Sequence, residues 1–204
     1  MKKFLAMILM LSLVLCGFAV AEGHIVTPNN PEIDINELAD GEYPAAFEPT
    51  ALADGALTFT VYSEDTFDIV EIEQLTAGDT LYVGDTVVEV ESVERDDDGD
   101  LLINGGLDEG GVDLRAYEED NCWRAVGYDD YHTYFNWGET TLPIAEDVTF
   151  TDSWDIEKEP VTVNGIEAVT EAVNNTEMDS FICLNTTVRV EDGKIAEIVR
   201  VFMP

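Results

Sequence analysis

Turn signals recur about every eight to twelve residues from Thr58 to Ile103, and this spacing constrains the fold more than any other feature. Thr58-Phe59-Thr60-Val61-Tyr62 alternates with Phe59 and Val61 on one face, the period-two pattern of a half-buried strand. Phe67 to Leu75 is rich in β-formers but slips register midway, which predicts a strand with a bulge. Ala77-Gly78-Asp79 reads as a turn, Leu81-Tyr82-Val83 as a strand and Gly84-Asp85 as the next turn. Thr86 to Glu94 places Val88 and Val90 inward and Glu89 and Glu91 outward. Asp96-Asp97-Asp98-Gly99 turns the chain into a returning strand at Leu101-Leu102-Ile103. Near the other end, Asp192-Gly193 separates Thr187–Glu191 from Lys194–Phe202. Asp-Gly between β-branched runs is the type I′ hairpin signal, because both turn residues take positive φ. Glu191 and Lys194 flank it as an opposite-charge pair. One helix is expected where Ile166, Val169 and Val173 recur at helical spacing, after Asn164-Gly165 and before Asn174-Asn175. The fold class is therefore mainly β: an antiparallel sandwich or small barrel with one short covering helix.

The start of the chain reads as an export signal. Lys2 and Lys3 give the positive region, Phe4 to Val14 the apolar run, and Ala19-Val20-Ala21 the small residues of a cleavage site. Residues 1–21 are assigned to a cleaved signal peptide, which places the protein outside the cell. A lipoprotein anchored through Cys16 is disfavoured, because bulky Leu15 stands where a lipobox needs a small residue. Residues 22–40 read as an extended leader around Pro28, Asn29, Asn30 and Pro31, with a short helix expected from Glu32 to Asp40. Residues 41–204 form a single β-rich domain on this reading.

Charge narrows the partners. The chain has 44 acidic and 9 basic residues, net −35; losing Lys2 and Lys3 with the leader takes it to −37. Such a surface repels nucleic acid and anionic membranes and favours cations, cationic partners or plain solubility. No membrane insertion is expected after cleavage. A protein or cell-envelope partner fits this compartment.

Candidate sites are few. Trp123, Tyr128, Tyr131, His132, Tyr134 and Trp137 lie close together with Asp129 and Asp130 among them. Flat rings beside carboxylates suit a sugar-binding cleft; the same rings are also ordinary core residues. Asp96, Asp97, Asp98 and Asp100 invite a Ca2+ reading. The EF-hand pattern fails on them: with Gly99 at the glycine position, the first ligand would be Glu94 and the last Gly105. A solvated acidic turn is the competing reading. Cys122 and Cys183 could form a disulfide worth about 4 kcal/mol by loop closure, or remain two buried thiols. The only histidines are His24 and His132. No nucleophile elbow, zinc-ligand spacing or phosphate-cradling loop occurs, so no cofactor other than Ca2+ is suggested and no catalytic residue is assigned. Function then reads as an exported acidic non-catalytic domain that binds a ligand, cation or protein partner. The alternative is a glycan-acting hydrolase using carboxylates near residues 118–137.

Three stretches carry a resemblance: Met1-Lys2-Lys3 with its signal peptide, Leu75-Thr76-Ala77-Gly78-Asp79-Thr80-Leu81, and Val190-Glu191-Asp192-Gly193-Lys194-Ile195. Through them the chain resembles the small secreted proteins of Gram-positive anaerobic bacteria, a group without an assigned activity. The Leu-x-x-Gly-Asp-x-Leu stretch is also similar to the first strand of small SH3-like β-barrels. These resemblances imply a fold style and an extracellular location, and they bring no catalytic residues.

Overall fold

The computed structural model describes residues 23–128, 131–176 and 181–203. The assigned signal peptide, Cys16, Asp129 and Asp130 lie outside the described residues. The chain is mainly β, as its alternation predicts.

Five strands close a barrel. They are β2 (Gly41–Ala46), β4 (Ala56–Glu64), β12 (Tyr134–Ser153), β14 (Thr186–Glu191) and β15 (Lys194–Val201). The ladder runs β12-β15-β14-β2-β4, and a further pairing of β4 with β12 shuts the ring. Twenty-residue β12 makes this possible: its first half pairs antiparallel with β4, and its second half pairs parallel with β15. Numbered along the chain, the barrel order is 1-2-3-5-4-1, with a helix between strands three and four. That is the connectivity of the Greek-key barrel called the OB-fold. The covering helix α2 (Ile166–Asn174) buries Val169 and Val173 in the barrel core. Leu57, Phe59, Val61, Val188, Val190, Ile195 and Ile198 fill the same core from the strands.

The antiparallel expectation needs one amendment: β12–β15 is parallel. So is the pairing of β1 (Ile25–Val26) with β6 (Thr80–Val83). A parallel pair needs a long crossover. Between β12 and β15 that crossover includes β13 (Val161–Asn164), α2 and β14.

Residues 65–133 form a second layered unit inserted between β4 and β12. It has its own core, including Phe67, Ile72, Leu81, Ile103, Leu114 and Trp123. One sheet is β1, β6 and β7 (Thr86–Glu89); the other joins β5 (Thr66–Asp68), β11 (Cys122–Val126), β10 (Val112–Tyr117), β9 (Leu101–Ile103) and β8 (Val93–Arg95). The Leu75–Leu81 stretch supplies the turn and first residues of β6, with Gly78 at φ 101°. The two ends of the insertion meet where Asp65 N–H donates to Thr133 O at 3.1 Å. Residues of the leader pack into both units: Val26 is buried in the second core and Leu38 in the barrel core.

Two local expectations fail for identifiable reasons. Residues 67–75 do not form a bulged strand. Asp68 caps a short helix α1 (Ile69–Glu73) instead, its carboxylate accepting Val70 N–H at 2.8 Å and Glu71 N–H at 3.2 Å. Residues 32–40 form a turn rather than a helix, because Asp34 folds back to accept Asn36 N–H at 2.9 Å. The C-terminal hairpin follows expectation, with Asp192 at φ 50° and Gly193 at φ 69°. Glu191 and Lys194 do stand opposite each other, but the Glu191 carboxylate turns to Arg189.

Candidate functional site

Among the described residues, the rings of the aromatic stretch take separate places in the fold. Trp123 is 2 % exposed and sits in the second core, with the Arg95 guanidinium 5.4 Å from its ring centre. Its ring faces are closed to a sugar. Trp137 packs against the barrel core and donates Nε1–H to Ser63 Oγ at 2.7 Å. Tyr128 is exposed, with its hydroxyl donating to Leu107 O at 3.0 Å, and the Tyr131 carbonyl accepts Gly127 N–H. Tyr134 begins β12, and burial pushes its hydroxyl up to about 12, helped by the nearby Glu64 charge.

His132 is the exception, because the fold gives it partners that the sequence keeps far apart. Its Nε2 lies 2.7 Å from the Tyr117 hydroxyl, and its Nδ1 contacts the Glu64 carboxylate. The same Glu64 oxygen accepts from Arg124 Nη1 at 3.1 Å, and Arg124 Nη2 reaches Asp120 at 2.5 Å. The Arg124 guanidinium also covers the Tyr117 ring at 4.5 Å. Strand pairing explains the convergence. Trp123 and Ala125 face the second core, so alternation turns Cys122 and Arg124 the other way, toward β4 of the barrel. Glu64 closes β4 at the point where the chain leaves the barrel. The result is a junction cluster, not a free acid–base pair: both carboxylates are already tied to Arg124.

The neighbour of Glu64 is the buried Asp65. It takes Asn30 Nδ2–H at 3.0 Å and the Gly84 N–H, and burial raises its carboxyl above the ordinary range. Asp79 shows the opposite sign. The Thr76 N–H at 2.8 Å, followed by His24 N–H at 2.7 Å, holds its carboxyl below the usual range.

The acidic run is gathered by its own turn. Asp96 Oδ1 accepts Asp98 N–H at 3.0 Å and Asp100 N–H at 2.9 Å, and Asp100 pairs with Arg115 at 2.8 Å. Asp97 and Asp98 are exposed. Among the described residues, no three acidic, histidine or cysteine side chains converge as metal ligands. Cys122 is buried, Cys183 is half-buried, and both are free thiols; burial pushes the Cys183 thiol up.

Asp120 is among the carboxylates near residues 118–137 that the sequence offers, whereas Glu64, Tyr117 and Arg124 carry no sequence expectation. One signal was present: Arg124 sits at a rare basic position in a run whose neighbours Trp123 and Ala125 face a core.

A different feature stands at one end of the barrel. Trp154, Ile156, Val161, Val201 and Phe202 are exposed, Ile156 by 70 % and Val161 by 59 %. Trp154 and Phe202 rings lie 6.0 Å apart; Val201 pairs with Ser153, and Val161 with Asp152. Among the described residues, strand β13 is the last of its sheet and pairs with β12. Among the described residues, no helix is long and apolar enough to cross a membrane. Comparison of the chain with known protein families, curated proteins and solved structures finds no match.

Proposed function

We propose that this protein is an exported, non-catalytic binding domain that docks a protein partner through the apolar end of its barrel. The supporting observation is the exposed pair Trp154 and Phe202, with ring centres 6.0 Å apart, followed along the chain by exposed Ile156 and Val161, on a strongly acidic chain. It adjoins β13, which stands at the edge of its sheet among the described residues and offers that edge to an added strand. Glu157 and Glu159 in this segment are exposed, and Asp155 beside them is paired with Lys158. The occupant that suits this surface is an extended segment alternating apolar residues with lysine or arginine. Apolar side chains would cover the patch, and the basic ones would answer the exposed carboxylates.

The test uses a Lys-Val-Thr-Val-Thr-Val-Lys peptide as probe. Amide exchange should slow across Val161–Asn164 on binding, and Val161→Lys should weaken binding by more than about tenfold, since a lysine blunts an edge strand. Slowing elsewhere, or an indifferent Val161→Lys, overturns the assignment. The competing glycan hydrolase is tested by reducing-end release from soluble glycans. Release that is lost in Asp120→Asn and Glu64→Gln would establish the enzyme instead.

A further inference from the structure

We infer a second binding site, independent of the barrel end, for an organic cation: an ammonium group on an apolar stem. The site is a groove of about 740 Å³ between residues 31–44 and β4. Its walls carry Glu32, Asp34, Glu37, Glu42 and Glu64, and no basic side chain lines it among the described residues. Tyr43 and Tyr62 also line it, and Pro31, Ile33 and Pro44 supply apolar surface. Both tyrosine hydroxyls are held above the ordinary range by burial, so the rings stay neutral. Asp34 remains ionised: its carboxyl is held low by the Asn36 N–H. Neutral aromatic rings beside carboxylates attract a soft cation, and the apolar wall accommodates its stem. An anionic ligand finds no complementary charge there.

Calorimetric titration of the full mature chain tests the site. Hexane-1,6-diamine and acetyl-Leu-Lys-Leu-Lys-amide are the probes; the first reports a free amine ligand and the second a lysine side chain of a peptide. Saturable one-site binding of either is expected at pH 7.5. Tyr62→Ala should weaken it about tenfold and Glu42→Gln about threefold, with Glu94→Gln, an exposed carboxylate elsewhere, changing it less than twofold. Equal losses in Glu42→Gln and Glu94→Gln, or no saturation with either probe, overturn the site in favour of a diffuse charge effect.

Discussion

The hairpin tip at residues 96–100 and the junction around Glu64 both gather charge, by opposite routes. The tip places four aspartates within five residues, yet their partners are mostly the turn's own amides. At the junction, Glu64, Tyr117, Arg124 and His132 come from β4, β10, β11 and the return to β12. Each touches another of the four. Charge that is dense in sequence relaxes into solvent. Charge brought together by sheet pairing is partly desolvated, so its interactions count for more. The two regions should therefore respond very differently to the loss of one side chain.

The largest effect is expected at Arg124. Its side chain is 17 % exposed, and Arg124→Ala would leave Glu64 and Asp120 without their cation and Tyr117 without its cover. Chemical denaturation should show a loss of about 2–3 kcal/mol, below the range for fully buried pairs because the partners keep some water. A loss under about 0.5 kcal/mol would put the junction in the same class as an ordinary surface pair.

Asp65 comes next. Asp65→Ala would leave the Gly84 N–H and the Asn30 amide without an acceptor at a buried point, at a cost of about 2 kcal/mol. Its pH dependence has a definite sign. Burial raises the folded-state pKa above the unfolded one, so the folded state binds the proton more readily. The contribution of Asp65 to stability is therefore greatest below the unfolded value of about 3.9, and it falls as pH rises through the raised folded value. Asp79 has the reverse sign, being stabilising above the unfolded value and lost as pH falls through its depressed one. Subtracting the Asp65→Asn curve from the wild type isolates the first; a difference that grows toward neutral pH in favour of the wild type would refute it.

The legible parts of this chain were those whose signal is local. Alternation at Thr58–Tyr62, the Asp192-Gly193 turn and the spacing of Ile166, Val169 and Val173 each specify a conformation within a few residues. Asp68 and Asp34 show the limit even there. A side chain accepting a nearby amide outweighed β-propensity at the first and helical spacing at the second. Barrel closure was not legible beyond the choice of a sandwich or a barrel. It depends on β12 exchanging β4 for β15 partway along, which is a choice between distant partners. The same holds for the junction. His132 was visible as one of two histidines, but Glu64 is one carboxylate among 44 acids until β4 and β11 are set face to face.

The tip should yield the smaller effects, in two steps. Asp96→Ala removes the acceptor for two backbone amides in an exposed turn and should cost about 1 kcal/mol. Asp97 and Asp98 are exposed side chains, so Asp97→Asn with Asp98→Asn should change stability by less than about 0.5 kcal/mol. That double variant also decides the calcium reading. Millimolar Ca2+ will raise the melting temperature of a chain with net charge −35 simply by lowering its self-repulsion. If the tip is a solvated turn, the rise will be equal in the wild type and the double variant, because the remaining carboxylates carry it. If the tip holds the ion, the variant will lose most of the rise, and local acid density will have made a site without help from the fold.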